Sequence, residues 1–365
     1  MEDQQIDDIT QSQTEIQKCP NCGAVLIYDI ESGNLVCEHC NYKKEIEVDR
    51  GVARRELTAD IMMSREIWTG AKVYRCNNCG SKAVLDTKKI NQQCSFCGSS
   101  NIVSTEELTG IKPDSIIPFA VTPKSSQEIF KTWVKKRKNA PNIFLHGDIR
   151  ESILQTYYPV WRFCANTNTN YHGVLGKREA YTVRDREGRL RTEYRINYFN
   201  VSGSIFRQYT DYLVQCSDQI SHISFSKIQP FDMNLIKPYR SEYLSGIAAN
   251  HYSRDLETCF NDFGNYVKND IRKAIIQNHN ADTVQRLTMD TSYSDKRFNY
   301  TLLPLYIAHY AFKKKTYNFF INGISGKIVG KSPLSMWKIL FKTILWGIVG
   351  AGAAAAGYFI YKYTL

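Results

Sequence analysis

The N-terminus of this 365-residue chain lacks the features of a signal peptide. Met1–Asp8 is acidic and polar, with neither a cationic n-region nor an apolar h-region. A secreted soluble protein is therefore not expected. The motifs H-E-x-x-H and G-x-S-x-G are both absent. The chain thus offers neither a metalloprotease histidine pair nor a hydrolase nucleophile elbow. Histidine is scarce, and His146, His172, His222, His251, His279 and His309 are scattered. Nothing in the sequence meets the nucleophile–base–orienter pattern, so no catalytic or cofactor-binding residue is assigned and no enzyme is expected. Gly326–Ser332 resembles a phosphate-binding loop, but it has three residues between its glycines where the motif needs four, and Pro333 follows. Disorder along the whole chain is excluded by 43% hydrophobic and 12% aromatic residues.

What is abundant is cysteine, with eleven residues. Eight of them form four C-x2-C knuckles: Cys19/Cys22, Cys37/Cys40, Cys76/Cys79 and Cys94/Cys97. Fourteen residues separate Cys22 from Cys37, and fourteen separate Cys79 from Cys94. Adding 57 to each number of the first set gives the second, so the sequence holds two copies of one module. This is the spacing of a four-cysteine zinc ribbon, in which each knuckle presents two sulfurs to a tetrahedral ion. Two structural Zn²⁺ ions are expected, one per module. Redox C-x-x-C pairs would want a βαβ context, which is absent, and four surface disulfides are the remaining alternative. His39 lies inside a knuckle but is not needed, because the four-cysteine set is complete without it. Gly23, Gly80 and Gly98 follow three of the knuckles, where a tight turn aims backbone N–H groups at sulfur. Hairpins are expected at 24–28 with 34–36, and again at 83–86 with 90–93. The formal charge of +11 falls once the sites are loaded, since each four-thiolate zinc site carries about −2. Intact thiolates also require a reducing compartment. Cys164, Cys216 and Cys259 stand alone and read as reduced core cysteines.

The one long uncharged run, Thr343–Tyr361, has 19 residues. As a helix it spans about 28 Å, close to the ~30 Å hydrocarbon core of a bilayer. Trp346, Tyr358 and Tyr361 lie near its ends, as interfacial aromatics do. Lys327, Lys331, Lys338 and Lys342 precede it, so the positive-inside rule leaves the body of the protein in the cytoplasm. A single-pass, tail-anchored protein of the cell (inner or plasma) membrane is expected. Small-xxx-small pairs such as Gly347/Ala351 would allow helix contact and oligomers in lipid.

The expected organisation is multidomain. Residues 1–17, with five acidic and no basic side chains, form a disordered leader. Ribbon one covers 18–43, a linker with a short helix over Ala53–Ile67 covers 44–70, and ribbon two covers 71–109. An α+β domain with an antiparallel sheet covers 113–332, and the transmembrane helix covers 343–361. In the α+β domain, Ser125–Glu128 reads as a capping box for a helix whose basic end, Lys135–Lys138, complements the helix dipole and faces water. Tyr157–Phe163 opens a strand-rich region, with a half-exposed hairpin over Thr182–Ile196 turning at Asp185–Gly188. A second helix is expected from Ser253 to His279, on apolar steps of three and four. Leu302–Tyr310 and Tyr317–Ile321 are expected strands. Pro159-Val160-Trp161 and Pro304-Leu305-Tyr306 look like a weak internal repeat.

In order, CPNCG…CEHC, CNNCG…CSFCG, IIPF near Ile116, YYPVWRF, IQPFD at Ile228–Asp232, YLSG at Tyr243–Gly246, LLPLY and INGISGKIVGKSP resemble the bacterial tandem zinc-ribbon membrane proteins of the YdjG type. Relatives are often labelled TFIIB-type or primosomal-helicase-like zinc-ribbon proteins. A helicase label has no motor behind it in this sequence. Family members frequently show a more aromatic motif where Arg162 and its neighbours stand. The resemblance implies a cytoplasm-facing membrane protein that assembles with phage-shock-type membrane-stress or coat proteins. The leading expectation is a non-enzymatic, membrane-anchored adaptor. The alternative is a membrane-tethered nucleic-acid-binding zinc-ribbon protein. Ribbon two has few arginines near Asn77, Asn78, Ser95 and Phe96, whereas a nucleic-acid footprint needs a clustered cationic stripe.

Overall fold

In a computed structural model, the chain is described over residues 17–46, 51–52, 54–58, 60–61, 67–68, 73–84, 94, 99, 102–105, 108–142, 144, 153–245, 247–312 and 315–364. Its strands are β1 (Ile27–Asp29), β2 (Asn34–Val36), β3 (Lys43–Lys44), β4 (Arg55–Glu56), β5 (Ile67–Trp68), β6 (Val73–Cys76), β7 (Lys82–Val84), β8 (Ile102–Thr105), β9 (Leu108–Thr109), β10 (Ser115–Ile116), β11 (Ile153–Arg184), β12 (Leu190–Gln215), β13 (Lys237–Pro238), β14 (Ala248–Asn250), β15 (Thr283–Phe312), β16 (Lys315–Asn322) and β17 (Ile328–Gly330). The α-helices are α1 (Pro123–Lys135), α2 (His222–Ile228), α3 (Leu256–Asn278) and α4 (Met336–Thr364). Among the described residues, β1–β3 form a small sheet and twelve strands join into a large one.

Two very long strands organise the large sheet. β11 and β15 pair antiparallel from Ile153↔Ala308 to Gly176↔Thr283. β12 adds to the other side of β11, from Val160↔Gln215 to Arg184↔Leu190. The expected hairpin turn at Asp185–Gly188 closes this ladder, with the Gly188 amide donating to the Asp185 carbonyl at 3.0 Å. The sequence signalled only the two ends of this ribbon. The stretch 283–301, which carries many polar residues, is strand because β11 supplies a continuous template for it.

The repeated Pro-containing motifs have a structural reason. Pro159 stands opposite Leu302, and Pro304 opposite Tyr157, within six residues of the Ile153↔Ala308 end of the β11–β15 pair. Proline cannot donate to a ladder and is normally confined to edges. β11 pairs β14 at Thr156–Tyr157 and β12 from Val160 onward, so Pro159 falls between its partners. β15 pairs β10 at Thr301–Leu302 and β16 from Leu305 onward, so Pro304 does the same. Each proline therefore occupies the point where a long strand changes its outer neighbour and no ladder bond is lost.

Helix α3 covers one face of the β11–β12 ribbon, burying Leu256, Cys259, Phe263, Val267, Ile271, Ala274 and Ile275. Asp255 caps it, so it begins three residues later than expected. The Phe163 and Phe263 rings stack at 5.5 Å, and Tyr209 donates to Asp270 at 2.8 Å. Arg162 lies in this region at 3% exposure, 3.4 Å from Asp211, and burial lowers its pKa. Helix α1 packs Phe130 and Trp133 against Phe319.

Two local expectations are corrected. Helix α1 is capped by Thr122, whose side chain accepts from the Ser125 amide, with Pro123 in the first turn. Ser125 is therefore not the cap, because proline's fixed φ starts the helix earlier. The linker helix expected over Ala53–Ile67 is not continuous. Arg55–Glu56 pairs with Arg297–Phe298 and Ile67–Trp68 pairs with Leu108–Thr109; between them Asp60–Ile61 is helical, and 62–66 lie outside the described residues. Strand edges with open hydrogen-bonding groups override a short helical propensity here. The Gly326–Ser332 segment is a hairpin return, in which the Asn322 amide donates to the Lys327 carbonyl and Ile328–Val329 pairs with Phe320–Ile321. The expected hairpin over 83–93 lies mostly outside the described residues.

Candidate metal centre

Three of the four cysteine knuckles show the same full backbone circuit among the described residues. The Cys19 amide donates to Ala24 C=O at 2.7 Å, and Gly23 N–H donates back to Cys19 C=O at 2.8 Å. Cys37 repeats this with Tyr42 and Asn41, and Cys76 repeats it with Ser81 and Gly80. The Cys94 amide likewise donates to Ser99 C=O at 2.8 Å. The fourth residue after each first cysteine must be left-handed to close the loop. Gly23 has φ 71°, Gly80 has φ 74°, and Asn41 has φ 57°. Asn41 is the residue that sequence reasoning missed. Its signal was available, since asparagine is among the few L-residues that tolerate this region.

In the first module the strands β1–β3 bring the two knuckles together. Cys19 Sγ lies 3.4 Å from Cys40 Sγ, and Cys22 Sγ lies 3.5 Å from Cys37 Sγ. All four sulfurs lie within 4.8 Å of one another. Disulfide sulfurs sit at about 2.05 Å, so these are thiols. A tetrahedron with ~2.3 Å metal–sulfur bonds has edges of about 3.8 Å, close to this spread. Cys19 and Cys37 are buried, whereas Cys22 and Cys40 face solvent. The exposed His39 contributes its backbone amide to Cys37, not a ring nitrogen.

The Cys40 amide, and then that of His39, hold the Cys37 thiol down at about 6 against the penalty of burial. A Tyr42 amide lowers Cys40, but the neighbouring sulfurs push it up to about 12. Thiolate ligation displaces protons, so metal binding at such a cluster would be pH-dependent.

In the second module, Cys76, Cys79 and Cys94 come together in the same way, with Cys79 Sγ and Cys94 Sγ 3.5 Å apart. Cys97, the fourth expected ligand, lies outside the described residues. Ser81, at the position matching Ala24, places its hydroxyl 3.2 Å from Cys94 Sγ and 3.3 Å from Cys79 Sγ. Burial pushes Cys79 up to about 12. Both clusters are therefore sulfur sites of the right size for a metal ion.

The modules attach to the body differently. The Tyr28 ring of the first packs edge-on against Tyr243 at 5.4 Å, and Ser245 Oγ donates to Leu26 C=O. Leu26, Tyr28 and Leu35 thereby join the main hydrophobic core. The second module attaches through a strand ladder, with Cys76 and Cys94 also buried in a cluster with Ile117 and Tyr158. β6 pairs β7, β7 pairs β14, and β14 pairs β11. The His251 amide also donates to Lys82 C=O, and Gln219 donates to Cys79 C=O.

The C-terminal helix α4 has 29 residues, longer than the expected 343–361 span. It is long and apolar enough to cross a membrane, with residues 336–354 as the candidate window, none of it buried in the structure. Cys164, Cys216 and Cys259 form no disulfide, and burial raises Cys216 and Cys259 well into the protonated range.

No protein-family profile matches the chain, and no solved structure matches it. The chain is similar to the Bacillus subtilis protein named YdjG, at 27% identity over 324 residues, covering 88% of this chain and 91% of that protein.

Proposed function

We propose that this chain is a non-enzymatic adaptor on the cytoplasmic face of the cell membrane. Two zinc-loaded cysteine modules form its docking head, and α4 is its single-pass tail anchor. The observation that carries this reading is the closed sulfur geometry of the first cluster. Four mutually adjacent sulfurs use every position of a tetrahedral ion and leave none for substrate. Zinc bound this way would shape a surface without performing chemistry. The Lys-rich approach to α4 and the reducing state required by the thiols both favour the cytoplasmic side. The partners favoured by the YdjG resemblance are membrane-stress or coat-type proteins.

The rival reading, a membrane-tethered nucleic-acid binder, would draw on the arginine-rich tip of the β11–β12 hairpin. There Arg189 pairs with Glu187, Arg191 with Asp185 and Arg195 with Glu179. Those acids offset the field a phosphate backbone would need. Affinity capture from membranes, comparing the full chain with a Cys94→Ser/Cys97→Ser variant, tests the adaptor. Loss of a membrane-associated partner in the variant is the expected result. Salt-resistant, sequence-dependent DNA or RNA binding by residues 1–110 would overturn the adaptor reading in favour of its rival.

A further inference from the structure

Helix α1 ends at Lys135 and the chain runs on through Lys136-Arg137-Lys138, a cationic stretch that extends past the helix. The structure carries this run to the root of α4. The Ser335 amide donates to the Asn139 carbonyl at 2.9 Å. Lys338 Nζ donates to the Ala140 carbonyl at 2.8 Å, and Lys342 Nζ donates to Asn139 Oδ1. Between the two helices lies an open cleft of about 320 Å³, lined by Lys136, Arg137, Lys138, Asn139, Ser332 and Lys342, together with Ala140 and Leu334. Four cations border it, and no carboxylate does among the described residues.

The polar groups of the cleft are sorted by sign. The Ala140 carbonyl and the Asn139 side-chain oxygen already have lysine donors. Arg137 lies over the Trp133 ring at 4.1 Å, which fixes its guanidinium at the wall. Lys136 and Lys138 are exposed. Ser335 caps α4, accepting from the Lys338 amide, so the positive end of that helix dipole also faces this side. A small anion is what such a lining would hold.

Depth selects which anion. At 1.5 Å per residue, the 29 residues of α4 extend about 44 Å, beyond a ~30 Å hydrocarbon core. With Thr343–Tyr361 in the core, Met336–Lys342 falls in the headgroup layer. Trp337 is 81% exposed and Phe341 is 69% exposed beside the cleft, as expected for side chains meant for an interface. We propose that this cleft is a binding site for the headgroup phosphate of an anionic phospholipid in the cytoplasmic leaflet. The proposal rests on the membrane-span reading above.

The test uses the full chain in vesicles of phosphatidylcholine alone and in vesicles of phosphatidylcholine mixed with phosphatidylglycerol. Insertion is scored by carbonate resistance, and retained lipid by native mass spectrometry. Wild type should insert in both and retain phosphatidylglycerol from the mixture. K136Q/K138Q should insert equally well and retain about thirtyfold less. A control, K177Q/R178Q on the distant hairpin, should retain wild-type amounts. Excess inorganic phosphate should not release the lipid, and release would overturn the assignment to a lipid. Insertion without phosphatidylglycerol retention, or equal loss in the control, overturns the cleft alone. Failure of the wild type to insert overturns the span reading and the cleft with it.

Discussion

The two cysteine modules share one ligand spacing, offset by 57 residues, yet they join the protein by different physics. The first is held mainly by side chains, with the Tyr28 ring on Tyr243 and Leu26 and Leu35 in a shared core, beside one long main-chain bond from the Tyr28 amide to the Ser245 carbonyl at 3.4 Å. The second adds a main-chain dock, the β7–β14 ladder at Ala249↔Val84 and Asn250↔Ala83, to the burial of Cys76 and Cys94 in a cluster with Ile117 and Tyr158. A side-chain dock can be released while the sheet stays intact. A ladder dock cannot, because its loss opens an edge on the sheet that carries the body. The comparison shows that a repeated module can keep its metal geometry while its role in the architecture changes.

The largest effect should come from removing ligands, since structural zinc contributes about 10–16 kcal/mol of apparent binding in small modules. Cys19→Ser/Cys22→Ser and Cys76→Ser/Cys79→Ser should each lose one of two zinc equivalents by elemental analysis. Hydrogen exchange should then separate them. The first variant should open only 18–46, whereas the second should also deprotect Ala248–Asn250. Identical exchange patterns would erase the distinction drawn here.

The docks themselves come next. Tyr243 is 1% exposed, so Tyr243→Ala should cost about 3 kcal/mol and expose the first module while leaving two zinc ions bound. Ala249→Pro should cost about 3 kcal/mol by removing a ladder donor, and should loosen the second module instead. Proteolysis that attacks the same module in both variants would refute the assignment of docks.

Smaller effects probe the knuckles. Gly80→Ala should cost about 1–2 kcal/mol of stability, because alanine resists a left-handed φ. Asn41→Gly should be neutral or slightly stabilising, and thermal unfolding of the metal-loaded chain should rank the two. The smallest change is Asp29→Asn in the turn of the first module. Asp29 accepts from Ser32 Oγ, the Ser32 amide and the Glu31 amide, and the Ser32 hydroxyl leads in holding it below the ordinary carboxylate range. A lowered folded pKa stabilises above the unfolded value and is lost as the pH falls through the folded one. The wild type should therefore exceed Asp29→Asn only above the ordinary carboxylate range, by well under 1 kcal/mol at this exposed site. An advantage that persists in strong acid would assign the effect to packing instead.

Much of the site was legible because its determinants are local. C-x2-C fixes two sulfurs within one turn, a hairpin returns the second pair, and glycine marks the left-handed closure at Gly23 and Gly80. Asn41 escaped notice because asparagine does the same job with a weaker signature. Helix α3 was legible from its apolar steps, and the hairpin turn from Asp185 and Gly188. The start of α1 was misplaced because two capping residues, Thr122 and Ser125, compete within three positions.

By itself the sequence determined the sulfur spacing, the apolar C-terminal run and the cationic stretch at 135–138, all properties of contiguous residues. Only the tertiary structure decided which edge β7 joins, where β4 lands, and that residues 139 and 342, 203 positions apart, meet at one cleft. The reason is physical. Main-chain hydrogen bonds between two- and three-residue strands are nearly blind to side-chain identity, and so leave no periodic trace. A cleft between distant helix ends depends on how whole elements pack, which no local pattern encodes.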